Sequence, residues 1–431
     1  MREQAEGKTR RSFIRDSAIY GAGFAAISST KIFGANDRIR IGVIGVGGRS
    51  MDLMAPFNPS PGEMWQGMPQ FKIAPVTGAE LVAVADVFEP HLDRAVAKVG
   101  PGTRRFHDYR ELLDQKDIDA VIIASPDHWH KQMLIDAVEA GKDVYLEKPV
   151  THSVEEGPEE IRAVEKTGRM VQTGTQHHSW KHYIQGKEIV DSGALGTVRL
   201  VESYWFLDYI PALEAMRRGK TDVSKLDWKA WLGSAPDQPF SEEKFHWWRY
   251  FRNFGGGSLT DLMVHSLDTI QWYMDSPTPS SAIATGHGYD FDWDFPTTLT
   301  CTLEYPKGFL VSFVANHLNS VDFGSIIFYG SKATLEVSRA ALSLYEEPGR
   351  FHYDSASRRW RPEAKLYVES EYEGTCANLQ RWLDSIRSRQ TPNTNIRVGV
   401  ENARSAHLGN AALLSGKRAT WDDVGQKIVL T

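Results

Sequence analysis

The run Ile39-Arg40-Ile41-Gly42-Val43-Ile44 leads directly into Gly45-Val46-Gly47-Gly48-Arg49-Ser50. A buried strand that ends in closely spaced glycines has few structural outcomes. Gly45 permits a tight turn, and Gly47 lets the backbone approach a ligand at the N-terminus of the following helix. The third position of the glycine spacing is Ser50, small enough for that helix to pack against its strand. Such a motif is weak alone and gains weight from its place in the chain. Leu81 to Ala85, Ala120 to Ala124 and Val144 to Leu146 read as further buried strands, with helices at Pro90 to Lys98, His130 to Ala140 and Val154 to Lys166 between them. Repeated β-α units of this length predict a doubly wound parallel sheet.

In that context the glycine turn is a dinucleotide-binding fingerprint and the domain is of the Rossmann type. Asp86 closes the second strand, where a carboxylate accepts hydrogen bonds from ribose hydroxyls and repels a 2′-phosphate; this favours NAD over NADP. The alternative role for Asp86 is a helix N-cap. The interval from Ser50 to Asp86 exceeds the usual ~20 residues, and the excess, from Pro56 to Gly78, reads as a surface insertion that covers the cofactor or makes a subunit contact.

A chain of 431 residues accommodates two domains. Its apolar share of 41% and charged share of 24% are those of a soluble globular protein, and a net charge of −6 gives no reason to expect nucleic acid as a partner. At the start, Thr9-Arg10-Arg11-Ser12-Phe13-Ile14-Arg15 precedes an apolar, Gly/Ala-rich stretch from Ala18 to Ile27, the pattern of a twin-arginine export signal; a basic tail is the plain alternative. Export in the folded state to the periplasm would separate the protein from cytosolic NAD, so a tightly held cofactor is expected. The two cysteines, Cys301 and Cys376, lack metal or redox spacing and read as buried free thiols.

Further along, Leu299, Cys301, Leu303 and Tyr305 alternate with polar residues, as do Phe309, Val311, Phe313 and Ala315 after Pro306-Lys307-Gly308. That is an antiparallel pair with one buried face. Ser258 to Met274 reads as a helix with Ser258 as its N-cap. Leu259, Leu262, Met263, Ser266, Leu267, Ile270 and Tyr273 share one face, and Asp261, His265 and Asp268 lie opposite.

Three elements carry a specific resemblance: Ser125-Pro126-Asp127-His128-Trp129-His130 after one strand, Glu147-Lys148-Pro149 after the next, and Gly255-Gly256-Gly257-Ser258-Leu259-Thr260-Asp261-Leu262-Met263-Val264-His265. With the glycine fingerprint they make the chain resemble the glucose-fructose oxidoreductase/inositol dehydrogenase (Gfo/Idh/MocA) family over most of its length. Gly193-Ala194-Leu195-Gly196 adds to the likeness, and Gly409-Asn410 is similar to exported branches. The resemblance implies an α/β Rossmann domain at 36–175, after a leader at 1–35. It also implies an α+β domain at 176–431 with an open, mostly antiparallel sheet, assembling as a homodimer or homotetramer.

Within that frame Lys148, Asp261 and His265 are the candidate catalytic residues. Loss of a hydride from a secondary alcohol leaves a proton to be taken up, a role for the His265 imidazole, while the Lys148 ammonium stabilises the developing alkoxide. Asp261 orients the histidine or binds a neighbouring hydroxyl. Lys148 serves equally as the base if its pKa is lowered, so both assignments stand open. Candidate cofactor contacts are Gly45, Gly47, Gly48, Arg49, Asp86, Ser125, Pro126, His128, His130, Glu147, Lys148 and Pro149. Candidate substrate contacts are Gln176, His177, His178, Trp205, Trp248, Arg249 and Tyr250. Neither histidine cluster has metal-ligand spacing, and no metal is expected. The expected activity is an NAD(H)-dependent oxidoreductase acting on a sugar, polyol or glycoside. The alternative is a redox-neutral glycosidase or lyase that oxidises the ring transiently and eliminates. A catalytically silent binding protein is the third class, against which the intact Lys148, Asp261 and His265 argue.

Overall fold

The computed structural model describes residues 37–65, 68–209, 211–212, 215, 220–288, 292–347 and 363–431. The leader at 1–35 lies outside them. Strand β1 (Ile39–Ile44) sends Ile39, Ile41 and Val43 to one side and Ile44 to the other, both sides buried. Strands β6 (Ala120–Ile123) and β7 (Asp143–Leu146) divide their side chains in the same way, which is why these strands read as unbroken apolar runs. With β4 (Ala79–Ala85), β5 (Arg104–Phe106) and β8 (Val171–Thr173) they form a parallel sheet in the order β5-β4-β1-β6-β7-β8. The expected doubly wound domain is present.

Two late helices finish its faces. Leu379, Trp382, Leu383 and Ile386 of the helix Gly374–Ser388 pack with Ile39, Ile41 and Val43. On the opposite face Ile396, Val400 and Ala403 of the helix Ile396–Ser415 pack with Val121, Val144 and Leu146. The chain therefore returns to the Rossmann sheet after building its second one.

That second sheet has ten strands among the described residues. Besides β9 (Val198–Phe206) it contains β10 (Ser281–His287), β11 (Thr298–Tyr305), β12 (Phe309–Asn316), β13 (Ser325–Gly330), β14 (Ala333–Val337), β15 (Ala341–Glu346), β16 (Leu366–Glu369), β17 (Ala419–Asp422) and β18 (Lys427–Leu430). Their order is β16-β15-β14-β13-β9-β12-β11-β10-β17-β18, antiparallel except for the parallel pair β9 and β12. The expected antiparallel pair is the β11–β12 hairpin, with Tyr305 opposite Phe309 and Leu299 opposite Ala315. Its inward residues join Leu259, Leu262, Met263, Leu267, Ile270 and Tyr273 in one core.

Three expectations change. The segment 56–78 is not a surface excursion: it forms the hairpin β2 (Met64–Trp65) and β3 (Met68–Lys72), with Trp65 2% and Phe71 1% exposed in the core of the second sheet. Apolar side chains of that size stabilise most when buried. Ser258 does not cap its helix through its side chain but pairs its hydroxyl with His317 Nε2 at 2.6 Å. The helix itself opens as a π-helix, Leu259–Met263, before continuing as Val264–Met274.

Burial also sets an acid limit on the fold. His128, His177, His182, His265, His317 and His407 are buried, and burial holds each below the ordinary imidazole value. His128 falls to about 3, and His182, His317 and His407 to about 4. Below about pH 6.5 the unfolded chain protonates these rings while the folded one does not, so stability declines as pH falls. Asp52, Asp127, Glu160 and Glu401, raised by burial, act in the opposite sense and are outnumbered. Each such ring contributes at most about 1.4 kcal/mol per pH unit. The urea midpoint is expected to drop between about pH 7.5 and 5.5; a midpoint that rises over this range contradicts the neutral, buried state of these rings.

Candidate active site

The parallel strands bring Gly45, Asp86, Ser125, Glu147 and Gly174 to one edge of the sheet, at the switch point around β1 where α/β sheets bind ligands. A cleft of about 800 Å³ opens there. Gly45 sits at φ +76°, and a Cβ on it would lie 2.7 Å from the Ser125 nitrogen. Gly48 has nothing within 4 Å of a built Cβ, and Gly47 only His91 at 3.7 Å. The backbone of this turn therefore faces open cleft. The Ser125 hydroxyl is buried with no hydrogen-bond partner.

Asp86 braces the nucleotide end. One carboxylate oxygen accepts from the Val46 N–H at 2.8 Å and lies 3.2 Å from His91 Nδ1; the other accepts from the Phe88 N–H at 3.0 Å. The next helix, Glu89–Val99, has Phe88 at its N-cap, so Asp86 ties two turns together instead of capping. Facing it across the cleft are Asp227, Trp231, Phe245, His246 and Trp248. Their segment is anchored by Asp227 N–H to Val87 O at 3.0 Å, and by Trp129 Nε1 donating to Trp231 O at 2.9 Å. The wall over this end thus comes from an aromatic-rich segment of the second domain. The 56–78 hairpin lends the cleft Met68.

At the other end Lys148 Nζ donates to Asp261 twice, to Oδ1 at 2.7 Å and to the backbone carbonyl at 2.6 Å. Arg249 Nε donates to the same Oδ1 at 3.1 Å, and its guanidinium lies 4.3 Å over the Trp248 ring. Burial raises the pKa of Asp261, but Lys148 and Arg249 outweigh it and hold the value at about 2. Gly257, at φ +62°, leads into this helix where a Cβ would meet the Phe295 ring at 2.6 Å.

His265 borders the cleft one turn further on. Burial first, then the Lys148 and Arg339 cations, hold it well below the ordinary imidazole range, so it is neutral. Its Nδ1 is buried and without a hydrogen-bond partner. Asp261 bonds Lys148 and Arg249, not His265, which removes the first of the two roles expected of it.

Beside Lys148, Glu147 accepts from Arg49 Nε at 2.9 Å, and Arg49 reaches Thr375. Gly174 is required here, because a Cβ would lie within 2.9 Å of the Glu147 carboxylate. The Lys148–Pro149 peptide is cis.

Of the candidate cofactor residues, Gly45, Gly47, Gly48, Arg49, Asp86, Ser125, Pro126, Glu147 and Lys148 line the cleft. His128, His130 and Pro149 do not. His130 spans the two loops, Nε2 to Ser125 O at 2.9 Å and Nδ1 to Pro149 O at 2.6 Å, and His128 packs among Trp231 and Phe254. Of the substrate residues, Gln176, Trp248 and Arg249 line it. Tyr250 is instead stacked on Trp293 at 4.0 Å, and His177 lies between Tyr183 and His265. His178 faces Asp268 at 3.2 Å in a separate cavity. Trp205 is stacked on His265 with ring centroids 5.9 Å apart and supports it from behind. Charged cleft residues that escaped the sequence reading include Asp127, Arg339 and Glu373. Asp127 stood inside a quoted motif and is only 3% exposed; Arg339 and Glu373 come from distant turns with no motif around them. Among the described residues no group of three His, Cys, Asp or Glu side chains is placed to hold a metal, and no helix is long and apolar enough to cross a membrane.

A glycine turn, a strand-end carboxylate, Lys148 held by Asp261, and His265 thus meet at one cleft of a Rossmann-type fold. The family model "Oxidoreductase family, NAD-binding Rossmann fold" matches residues 39–175, and the "GFO/IDH/MocA C-terminal domain" matches 229–336. Together they cover over half of the chain, which belongs to the Gfo/Idh/MocA oxidoreductase family. It is 35% identical over 127 residues to an inositol 2-dehydrogenase of Salmonella paratyphi B, a match covering 29% of this chain and 38% of that protein's length. Two solved structures share the fold. A scyllo-inositol dehydrogenase of Lactobacillus casei with bound NAD(H) and scyllo-inositol superposes with TM-score 0.64 and 18% identity, over 89% of this chain and 99% of the other. An aldose-aldose oxidoreductase of Caulobacter crescentus complexed with glycerol gives TM-score 0.65 and 18% identity over the same shares.

Proposed function

We propose that this protein is an NAD(H)-dependent oxidoreductase acting on a secondary hydroxyl or keto group of a sugar, polyol or glycoside, with a tightly held cofactor. The observation that carries this reading is the Lys148–Asp261 pair and neutral His265 opening onto the same cleft as Gly45, Gly47 and Asp86. The open space at Gly47 and Gly48, the orphan Ser125 hydroxyl and the Asp86 carboxylate suit a dinucleotide. The 227–248 wall gives a physical reason for slow release.

Bound NAD supplies the hydride acceptor. Lys148, fixed by two bonds to Asp261, presents its remaining N–H to the substrate oxygen and stabilises negative charge as it develops there. His265, neutral and on the cleft wall, takes the hydroxyl proton. Asp261 holds the Lys148 ammonium in place, and Arg249 stays paired beside it.

The test is purification without added cofactor, followed by addition of NAD and candidate sugars while the reduced-nicotinamide absorbance is followed. Reduction that a second, keto sugar reverses supports the proposal; protein that binds no NAD removes it. Asp86→Ala is expected to weaken NAD binding about tenfold to a hundredfold, the loss of a hydrogen bond to a charged acceptor. It should also narrow the preference over NADP. Unchanged affinities measured by calorimetry contradict the ribose role. Export through the twin-arginine route to the periplasm is part of the same proposal, and cell fractionation that finds the protein only in the cytosol removes that part. Exposed Ile283, Leu310 and Tyr367 on the ten-stranded sheet support a homodimer or homotetramer, to be read by light scattering.

A further inference from the structure

Among the described residues, five Lys and Arg cations line the cleft, and four of them are matched by carboxylates. Arg49 is paired with Glu147 and Arg110 with Asp108, while Lys148 and Arg249 share Asp261. Arg339, on the turn between β14 and β15, has no carboxylate within 4.0 Å among the described residues. Its Nε is buried and unpartnered, and the contact found for Nη1 is Met68 Sδ at 4.0 Å. Glu373, the carboxylate whose charge acts most strongly on it, is committed to the Thr375 N–H at 2.6 Å and Gln176 Nε2 at 3.0 Å. Leaving a guanidinium desolvated and unpaired is costly, and its planar set of five donors is built for bidentate contact with an oxyanion.

Its position says which molecule brings that oxyanion. The Arg339 guanidinium lies 5.1 Å over the Trp205 ring, which also packs on Phe323 and is stacked on His265 with centroids 5.9 Å apart. Arg339, on the second sheet, therefore shares Trp205 and the cleft lining with the acid–base residue. The phosphate-facing turn at Gly45 to Gly48 and the ribose carboxylate Asp86 belong to the first. Among the described residues no other Lys or Arg of the cleft lacks a carboxylate partner, so the group Arg339 awaits is met by one planar guanidinium, which fits a planar carboxylate better than a phosphate dianion.

Resting on the dehydrogenase reading above, we infer that the substrate is a sugar acid, its carboxylate held by Arg339 while a secondary hydroxyl of the same molecule meets Lys148 and His265. Arg339 then determines specificity and takes no part in proton or hydride movement.

The experiment uses the NAD-loaded protein with D-glucuronate, D-galacturonate and D-gluconate, each against neutral D-glucose and D-galactose, and with a hexose phosphate. Affinity is read by calorimetry and turnover by reduced nicotinamide. At least one acid is expected to bind about tenfold to a hundredfold more tightly than its neutral parent, the range of a charge-assisted hydrogen bond. Arg339→Gln should collapse that acid-to-neutral ratio, Arg339→Lys should keep part of it, and NAD affinity should hold in both. Acids that bind no better than neutral sugars, a hexose phosphate that outbinds every acid, or an Arg339→Gln protein that keeps the wild-type ratio overturns the inference. If neutral sugars then still reduce the bound cofactor, the dehydrogenase reading survives alone. Protein that binds no NAD overturns both.

Discussion

Lys148→Met is expected to lower turnover by about 10²–10³-fold, the usual cost of removing a donor that stabilises a developing oxyanion. The effect should fall on kcat rather than on NAD affinity, because Lys148 is bonded to Asp261 at the end of the cleft away from Asp86. The substitution has a second readout. After burial, the Lys148 cation is the largest influence that depresses His265, and removing it also frees Asp261 from its closest countercharge. The His265 midpoint, followed by NMR of the imidazole protons, should move up toward the ordinary range. An unmoved midpoint contradicts the electrostatic coupling of the two residues. Full turnover in Lys148→Met contradicts the catalytic assignment.

His265→Ala should cut turnover by about 10²–10⁴-fold, the range for loss of a general acid–base. Its neighbours allow a check against simple collapse of the pocket. His265 packs between Trp205 and His177, so His265→Gln keeps most of the volume while losing the titratable ring. Both variants should still bind NAD. Because the wild-type imidazole is already neutral, the acid limb of the rate profile should lie below about pH 6.5. A histidine variant with near-wild-type single-turnover reduction of NAD assigns the proton to another group, and Lys148 is the next in line.

Local signals carried much of this into the sequence. Burial on both faces made β1, β6 and β7 legible as unbroken apolar runs, and alternation along Leu299–Tyr305 and Phe309–Ala315 marked an antiparallel pair with one buried face. Glycines that a close approach demands marked the turn at Gly45 and the entry at Gly257. Long-range packing was not legible. Nothing local says that Trp65 and Phe71 sink into the second sheet's core, or that the helices Gly374–Ser388 and Ile396–Ser415 return to cover the first. The same limit explains the site. His128 and His130 lie in the right loop but turn away from the cleft, because a buried imidazole needs partners and finds them in Trp231 O, Ser125 O and Pro149 O. Tyr250 is taken by an aromatic core that the cleft uses as a wall. Arg339 and Glu373 reach the cleft only because two turns distant in sequence converge there.

The central claim is that hydride passes in this cleft between a carbinol carbon and the nicotinamide, with Lys148 and His265 attending the oxygen. The most direct measurement gives the NAD-loaded protein a substrate deuterated at that carbon and locates the label by NMR after one turnover. Deuterium at nicotinamide C4 in the wild type, arriving about 10²–10³-fold more slowly in Lys148→Met that still binds NAD, is the predicted result. Deuterium lost to water, or product formed with the label still on its original carbon, contradicts it.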